Sequence, residues 1–317
     1  MPLSTDETLL TLSRHIIEKF DKVNSGIHPG FRPAHAKGIL LTGTFKPSPE
    51  AALYTRAPHI QQDSTPVTVR FSDFAGIPTV PDNGQGASPR GCAIRFHLAE
   101  HVHTDIVAHS VDAFPSRNAE EFQDFLSALI ATDPAGPHPN AIERFLGAHP
   151  AALTFVQTPK PIPTSFGRES FFAVSAFRFT NADGASRYGR YRVLPVAGNE
   201  YLDDEGAARQ TSDFLFDELR ERVTKEPVKF RIVVQLAEDG DTVDDATARW
   251  PEARPQFTFG QVSVTEIAPD NASAQQQIIF DPIPRVDGIE ASADPLFEPR
   301  ANVYLMAGRR RRAAEKQ

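Results

Sequence analysis

Apolar and polar positions divide the chain into helical and alternating stretches. Leu9, Leu10, Leu12, Ile16, Ile17 and Phe20 recur at near-helical spacing behind the possible caps Thr5 and Asp6, which predicts a helix over 6–23. Four segments with β-branched and aromatic residues at period two follow, at 38–45, 66–74, 91–98 and 104–111. The second alternates strictly, with Thr68, Arg70 and Ser72 on one face and Val67, Val69 and Phe71 on the other. A helix is predicted around 118–131, where Phe122, Phe125, Leu126 and Leu129 share a face. Residues 133–168, rich in Pro and Gly, read as a long wrapping connection with one short helix near 139–148. Four more strands are predicted near 170–180, 186–196, 228–237 and 256–267, with a helix near 203–224 between the two pairs and a last helix from Pro299 to Arg312. Two groups of four strands suffice to close a barrel. With no repeat, low-complexity tract or linker visible, the expected fold is one α+β domain over 1–317. It is an eight-stranded antiparallel β-barrel with flanking helices over 28–312, preceded by a helical arm over 1–27.

Composition narrows the function. The 317 residues carry 33 Lys plus Arg against 41 Asp plus Glu, a net charge of −8, which argues against nucleic acid as a partner. No apolar run approaches the roughly 20 residues of a membrane span. The N-terminus has neither the basic region nor the apolar core of a secretory signal, so the expected location is the cytoplasm. One Cys excludes a disulfide framework and a Cys-based zinc site. With that one Cys and only 2 Met, the chain has few easily oxidised sulfurs, which suits a protein that meets peroxide.

The last helix carries the most informative chemistry. At roughly 100° per residue, Arg300, Tyr304 and Arg311 fall within a stripe of about 40°. A guanidinium beside a phenol favours the phenolate, a bound ferric ion favours it more, and tyrosinate is one of the axial ligands of haem iron. A second segment, Arg32-Pro33-Ala34-His35-Ala36-Lys37-Gly38, precedes the first strand. His35-Ala36-Lys37-Gly38, the alternating Val69-Arg70-Phe71-Ser72 and the late Arg300 and Tyr304 together resemble the haem catalase family. Phe280-Asp281-Pro282 and Gly288-Ile289-Glu290 match that family's run into the helix, and Trp250-Pro251 and the strand from Gly91 to Phe96 also fit. The resemblance covers about 28–312; the chain lacks the long arm and C-terminal extension of ordinary catalases and is most similar to the small catalase-related peroxidases.

That resemblance implies haem b as cofactor, Tyr304 as its proximal ligand and Arg300 as the group that keeps the phenol ionised. It implies His35 as the distal acid–base group, Ser72 as the residue that orients it, Arg32, Arg70 and Arg311 as propionate ligands, and Phe122 as an aromatic over the haem. His109 occupies the position of a distal Asn, Ala34 replaces a bulkier residue, and Arg192 stands where a His near the proximal Arg is usual. A wider pocket without the Asn amide favours a peroxidase that reduces organic hydroperoxides or hydrogen peroxide with an organic electron donor. Residual catalase activity, and a non-catalytic haem- or lipid-binding barrel, are the alternatives. The resemblance and the arm point to a homo-oligomer.

Other candidates have plainer readings. His97, His101 and His103 read as strand and solvated loop, Asp239, Asp241, Asp244 and Asp245 as an exposed turn, and Cys92 as a buried core thiol. Arg309 to Arg312 suit a helix C-terminus.

Overall fold

The computed structural model describes residues 2–314; Met1 and 315–317, the ends of the expected domain, lie outside the described residues. Asp6 starts the first helix, accepting the amides of Thr8 and Leu9 at 2.8 and 3.3 Å, and α1 runs over Glu7–Val23. Strands β1 (Gly38–Pro47), β2 (Thr65–Ser72), β3 (Gly91–Ala99) and β4 (Val102–His109) form an antiparallel meander. Helices α2 (Ala119–Ile130), α3 (Ala141–Ala148) and α4 (Pro150–Gln157) wrap outside it. The second half contains β5 (Phe171–Phe172), β6 (Phe177–Thr180), β7 (Ser186–Pro195), α5 (Asp204–Ala208), α6 (Phe214–Lys225), β8 (Val228–Leu236) and β9 (Gln256–Ile267). Helix α7 (Asn271–Gln277), β10 (Ile289–Ala291) and α8 (Phe297–Ala314) complete the chain.

The sheet closes on itself. β4 pairs with β5, β5 with β7, β7 with β8, β8 with β9 and β9 with β1, so eight staves form an antiparallel barrel. β6 continues the β5 stave along β7, and β10 adds to its edge. Closure leaves the barrel itself no free edge and gives each strand an inner and an outer face. The inner face is lined with aromatic rings. Phe45, Phe71, Phe96, Phe171, Phe179, Phe230, Phe257 and Phe259 are each at most 1% exposed. Phe45 and Phe96 meet edge to face with centroids 5.0 Å apart, an arrangement aromatic rings favour when packed together. Val67, Val69 and Phe71 of β2 point inward as the alternation requires, so Thr68, Arg70 and Ser72 point outward.

Three predicted elements differ from the structure for identifiable reasons. The strand expected over 170–180 is split, because the carbonyl of Ala176 accepts the Ser292 amide (3.1 Å) instead of continuing the ladder. The helix expected over 203–224 is two, because the distant Asp82 carboxylate accepts the Leu215 amide at 2.8 Å and starts α6 separately. The wrapping connection contains α4 as well as the expected short helix, with Pro150 at its first turn. Helix α7 and strand β10 lie in segments without predicted structure.

Replacing Phe45 by Ala is expected to destabilise the protein by about 3–5 kcal/mol through a cavity ringed by Phe96, Phe259 and His59, measurable as a lowered urea midpoint with unchanged slope.

Candidate active site

The register of the first four strands builds the site on the outer wall of the barrel. Gly38 of β1 faces Ser72 of β2, Ser72 faces Gly91 of β3, and Gly91 faces His109 of β4. Glycine on either side of Ser72 leaves a trough. A Cβ at Gly91 would stand 2.6 Å from Ser72 Oγ and 2.9 Å from His35 Nδ1, and one at Gly38 would collide with the Arg70 guanidinium. His35 fills the trough from the segment before β1. Its Nδ1 lies 3.1 Å from Ser72 Oγ, and its ring meets Phe74 edge-on at 5.4 Å. The residue has φ of 58°, a left-handed conformation uncommon outside glycine. Backbone bonds hold it there, from His35 N–H to the Phe74 carbonyl (2.6 Å) and from Ala36 N–H to that of Ala75 (3.0 Å). Asn24, at the end of α1, donates to the Pro33 carbonyl and accepts the Gly76 amide, tying both flanks of the turn to the arm.

Both imidazoles are neutral. Burial, and then the neighbouring Arg70, His109 and Arg32, push His35 down to about 3, against a smaller opposing effect of the Asp73 carbonyl. Burial and Arg300 push His109 to about 3 as well. His109 Nδ1 accepts the Val111 amide (3.3 Å), so its proton is on Nε2, which is buried and has no partner among the described residues. The ring neighbours Phe114, which stacks on Phe122 with centroids 5.6 Å apart; Phe122 in turn meets Phe20 of α1. Phe122, Ala34, Phe74 and Val303 pack on one apolar cluster, which puts Phe122 at the seam between the His35 turn and α8.

A cluster of cations forms the other wall. Arg32 Nη2 and Arg311 Nη2 both donate to the Ile278 carbonyl, at 3.1 and 2.6 Å, and Arg311 Nε donates to that of Gln276. Arg70 donates to the carbonyls of His35 and Ala36 and, through Nε, to Gln275 Oε1. Burial, then Arg70 and Arg311, hold the Arg32 pKa well below the ordinary guanidinium value, while Tyr304 acts in the opposite direction. Arg70 falls to about 9 by burial and then Arg311, and Arg311 to about 10 by burial and then Arg312. Among the described residues no carboxylate forms an ion pair with any of the three. Helix α8 thus brings Tyr304 within electrostatic reach of Arg32, and Arg300, one turn earlier, within reach of His109. Arg300 Nη1 also lies 3.4 Å from Ser175 Oγ.

The four arginines at the end of α8 have separate tasks. Arg309 is exposed, Arg310 pairs with Asp21 of α1 at 2.6 Å, Arg311 joins the cluster, and Arg312 donates to the Gln277 carbonyl. Arg192 is held by Asp112 at 2.8 Å and Gln235 at 2.6 Å and lies over the Phe172 ring. His97 and His103 face each other across β3 and β4, with His97 bonded to Thr68; His101 is exposed, and Cys92 is buried. The sequence reading missed Gln275 and the carbonyls of Gln276 and Ile278, which hold the guanidinium groups; the Ala- and Gln-rich run after Asp270 is the helix signal that announces them. It also missed the spatial role of Gly38, since a glycine at a strand start has no partner in the sequence.

An outward-facing trough with two neutral imidazoles, a floor of buried unpaired cations and a tyrosine helix across from it defines a barrel protein built to hold a large anionic ligand. The sequence model of a family described as Catalase matches residues 4–317. Over 282 residues the chain is 34% identical to the catalase-related peroxidase of Mycolicibacterium paratuberculosis, spanning 88% of each protein. It is 31% identical to the catalase-related peroxidase of Synechococcus elongatus, spanning 89% of this chain and 84% of that one. A crystal structure of a fungal catalase superposes with a TM-score of 0.77 at 23% identity, covering 89% of this chain and 59% of that one. Catalase A from Saccharomyces cerevisiae gives 0.77 at 22% identity, with 61% of its chain covered. The chain belongs to the catalase family.

Membership of that family implies a haem, and the residues present fit one. Two buried guanidinium groups, Arg70 and Arg311, beside the half-buried Arg32, with no carboxylate partner among the described residues, are an unfavourable arrangement unless an anionic group joins them. Porphyrin propionates are planar carboxylates of the kind a guanidinium fork binds in pairs.

Gly91→Ala is expected to cost about 1–3 kcal/mol and to shift the His35 ring, because its Cβ meets Ser72 Oγ and the imidazole. Gly147→Ala in α3, with nothing within 4 Å, is expected to be neutral or slightly stabilising in the same urea titrations.

Proposed function

We propose that the chain is a haem-dependent peroxidase that reduces organic hydroperoxides or hydrogen peroxide with an organic electron donor. The observation that carries this reading is the neutral His35 imidazole held by Ser72 beside a cluster of buried guanidinium groups without a counter-anion. Its similarity to two catalase-related peroxidases over most of their length supports it.

In this reading haem b would be the cofactor: Tyr304 would hold its iron, Arg300 would partner Tyr304, and Arg32, Arg70 and Arg311 would hold the propionates. Phe122 would pack against the porphyrin. When bound, the haem supplies the iron redox chemistry that a two-electron reduction of peroxide requires. The protein contributes proton handling and orientation. With Nδ1 engaged by Ser72, His35 Nε2 is the atom free to take the proton of the incoming peroxide and return it to the leaving oxygen, work worth typically 10²–10⁴ in rate. His35 is held deprotonated down to about pH 3, so it is ready as a base throughout the physiological range. Ala34 leaves the pocket roomier for larger hydroperoxides and donors.

Residual disproportionation of hydrogen peroxide is the second reading, and one observation favours it. His109 Nε2–H is a buried donor with no partner, so a hydrogen-bond donor remains where the family carries an Asn amide. A barrel that holds a haem or lipid without turnover leaves that donor and the free base without a task. The whole chain, 1–317, is read as one domain with an arm over 1–27, acting in the cytoplasm as a homo-oligomer, since Ile27 and Phe31 expose apolar surface beside the arm. Peroxide and an organic donor are its partners, and no helix of the described residues is long and apolar enough to cross a membrane.

Purified protein loaded with haem is expected to show a Soret band with the weak bands of a high-spin ferric tyrosinate complex, lost in Tyr304→Phe; an unchanged spectrum there would defeat the assignment. His35→Phe should slow oxidation of a phenolic donor by about 10²–10⁴-fold with haem content retained. An oxygen electrode separates the two readings: oxygen release from hydrogen peroxide at catalase-like rates, with no donor oxidised, would exclude the peroxidase.

A further inference from the structure

Behind the His35 turn lies a buried set of charges that the peroxide chemistry does not use. Asp73, Asp82 and Arg90 are all 0% exposed. Asp82 is satisfied, with Oδ1 accepting Lys37 Nζ at 2.5 Å and Oδ2 accepting the Leu215 amide at 2.8 Å. Asp73 is not, because neither of its carboxyl oxygens receives a donor. Arg90 Nε stands 3.8 Å away, and the rest of that guanidinium is engaged by Ser88 Oγ and the Asp82 carbonyl. The Asp82 carboxyl lies within electrostatic reach of Asp73 and favours its neutral form, while Arg90 and Lys37 act in the opposite direction. Two ionised carboxylates in such a place repel each other and lack solvation; one proton between them removes both costs.

We propose that Asp73 is folded into the protein as a carboxylic acid that donates its proton to Asp82, and that this hydrogen bond is a positioning contact for the turn carrying His35. The charge count agrees. With Asp73 neutral, the cations Lys37, Arg90 and Arg70, the last within electrostatic reach of Asp73, stand against Asp82, Glu169 and Asp213, which bonds Lys37 at 2.8 Å; ionisation of Asp73 adds a negative charge to this set. Glu169 lies within electrostatic reach of Arg90, with its own carboxyl held by the Ser170 amide and the Tyr201 hydroxyl. Burial first, and then Asp82, push the Asp73 carboxyl up to about 8.

The link to the site runs through the backbone. Asp73 N–H donates to the Lys37 carbonyl at 3.1 Å, Phe74 and Ala75 accept from His35 and Ala36, and the amides of Phe74 and Ala75 donate to Ala87 and Gly86. The segments 35–37, 73–75 and 86–87 are thus laced together, with the Asp73–Asp82 bond fastening the middle layer to the Lys37 anchor. A left-handed His35 persists only where its surroundings over-determine it.

The inference rests on His35 being the distal base, but its first two readouts do not. In haem-loaded, aspartate-labelled protein, an infrared titration from about pH 6 to about pH 10 should show a protonated aspartic carboxyl lost with a midpoint near 8. That band should be missing in Asp73→Asn, whose amide keeps a donor toward Asp82 without titrating. Folded Asp73 keeps its proton where the unfolded chain has lost it. The unfolding constant of the wild type should therefore rise relative to Asp73→Asn by about tenfold per pH unit between about pH 5 and pH 7. Peroxide reactivity should fall in the wild type as pH passes about 8 and persist further in Asp73→Asn. Absence of a protonated aspartate in the wild type, or identical pH dependences in both proteins, would overturn the proposal; if Asp73→Asn does not fold, the wild-type infrared titration decides alone.

Discussion

The hydrogen-bond register of β1 to β4 is the constraint on which the rest depends. Antiparallel pairing sets Gly38, Ser72, Gly91 and His109 in one row across four strands, and barrel closure turns that row outward. A slip of one residue in any pair would send Ser72 or His109 into a core filled with phenylalanine. The ring-packed interior and the polar trough are therefore two faces of one decision. Each strand spends its inward positions on Phe, Val and Ile, which leaves its outward positions free for chemistry.

Charge organises that outer face. The guanidinium groups of Arg32, Arg70 and Arg311 are collected by carbonyls from the His35 turn and from the segment after α7, and among the described residues no carboxylate forms an ion pair with them. Burial first, and then Arg70 and Arg32 of this cluster, keep His35 uncharged, so the cluster both attracts an anionic ligand and helps maintain a free base beside it. On the far side of the turn the balance reverses, and Lys37 and Arg90 are matched by carboxyl groups.

The arm and the last helix hold these walls at fixed separation. Ser4 N–H bonds Asn302 and Asp21 pairs with Arg310, so the beginning of the chain is fastened along α8. Asn24 then passes the connection to the His35 turn. Rigid support of this kind suits a site whose parts come from residues almost as far apart in sequence as the chain allows.

Much of this is legible in the sequence because it is local. The alternation of residues 66–74 assigns Arg70 and Ser72 to the polar face, and helical periodicity gathers Arg300, Tyr304 and Arg311 on one stripe. Eight strand-like segments and the matching motifs at both ends announce the barrel and its family. What the sequence cannot state is decided by partners distant in the chain. Only the tertiary structure breaks the helix expected over 203–224, since the cap comes from Asp82, and only it splits the strand expected over 170–180, since Ser292 claims a carbonyl. Only it shows that Gly38 and Gly91 are space for other side chains, that the proton of His109 is on Nε2, and that Asp73 faces a second carboxyl without a donor. Periodicity follows from the chain's own geometry; solvation, charge balance and free volume belong to the neighbourhood, and the neighbourhood exists only once the chain has folded.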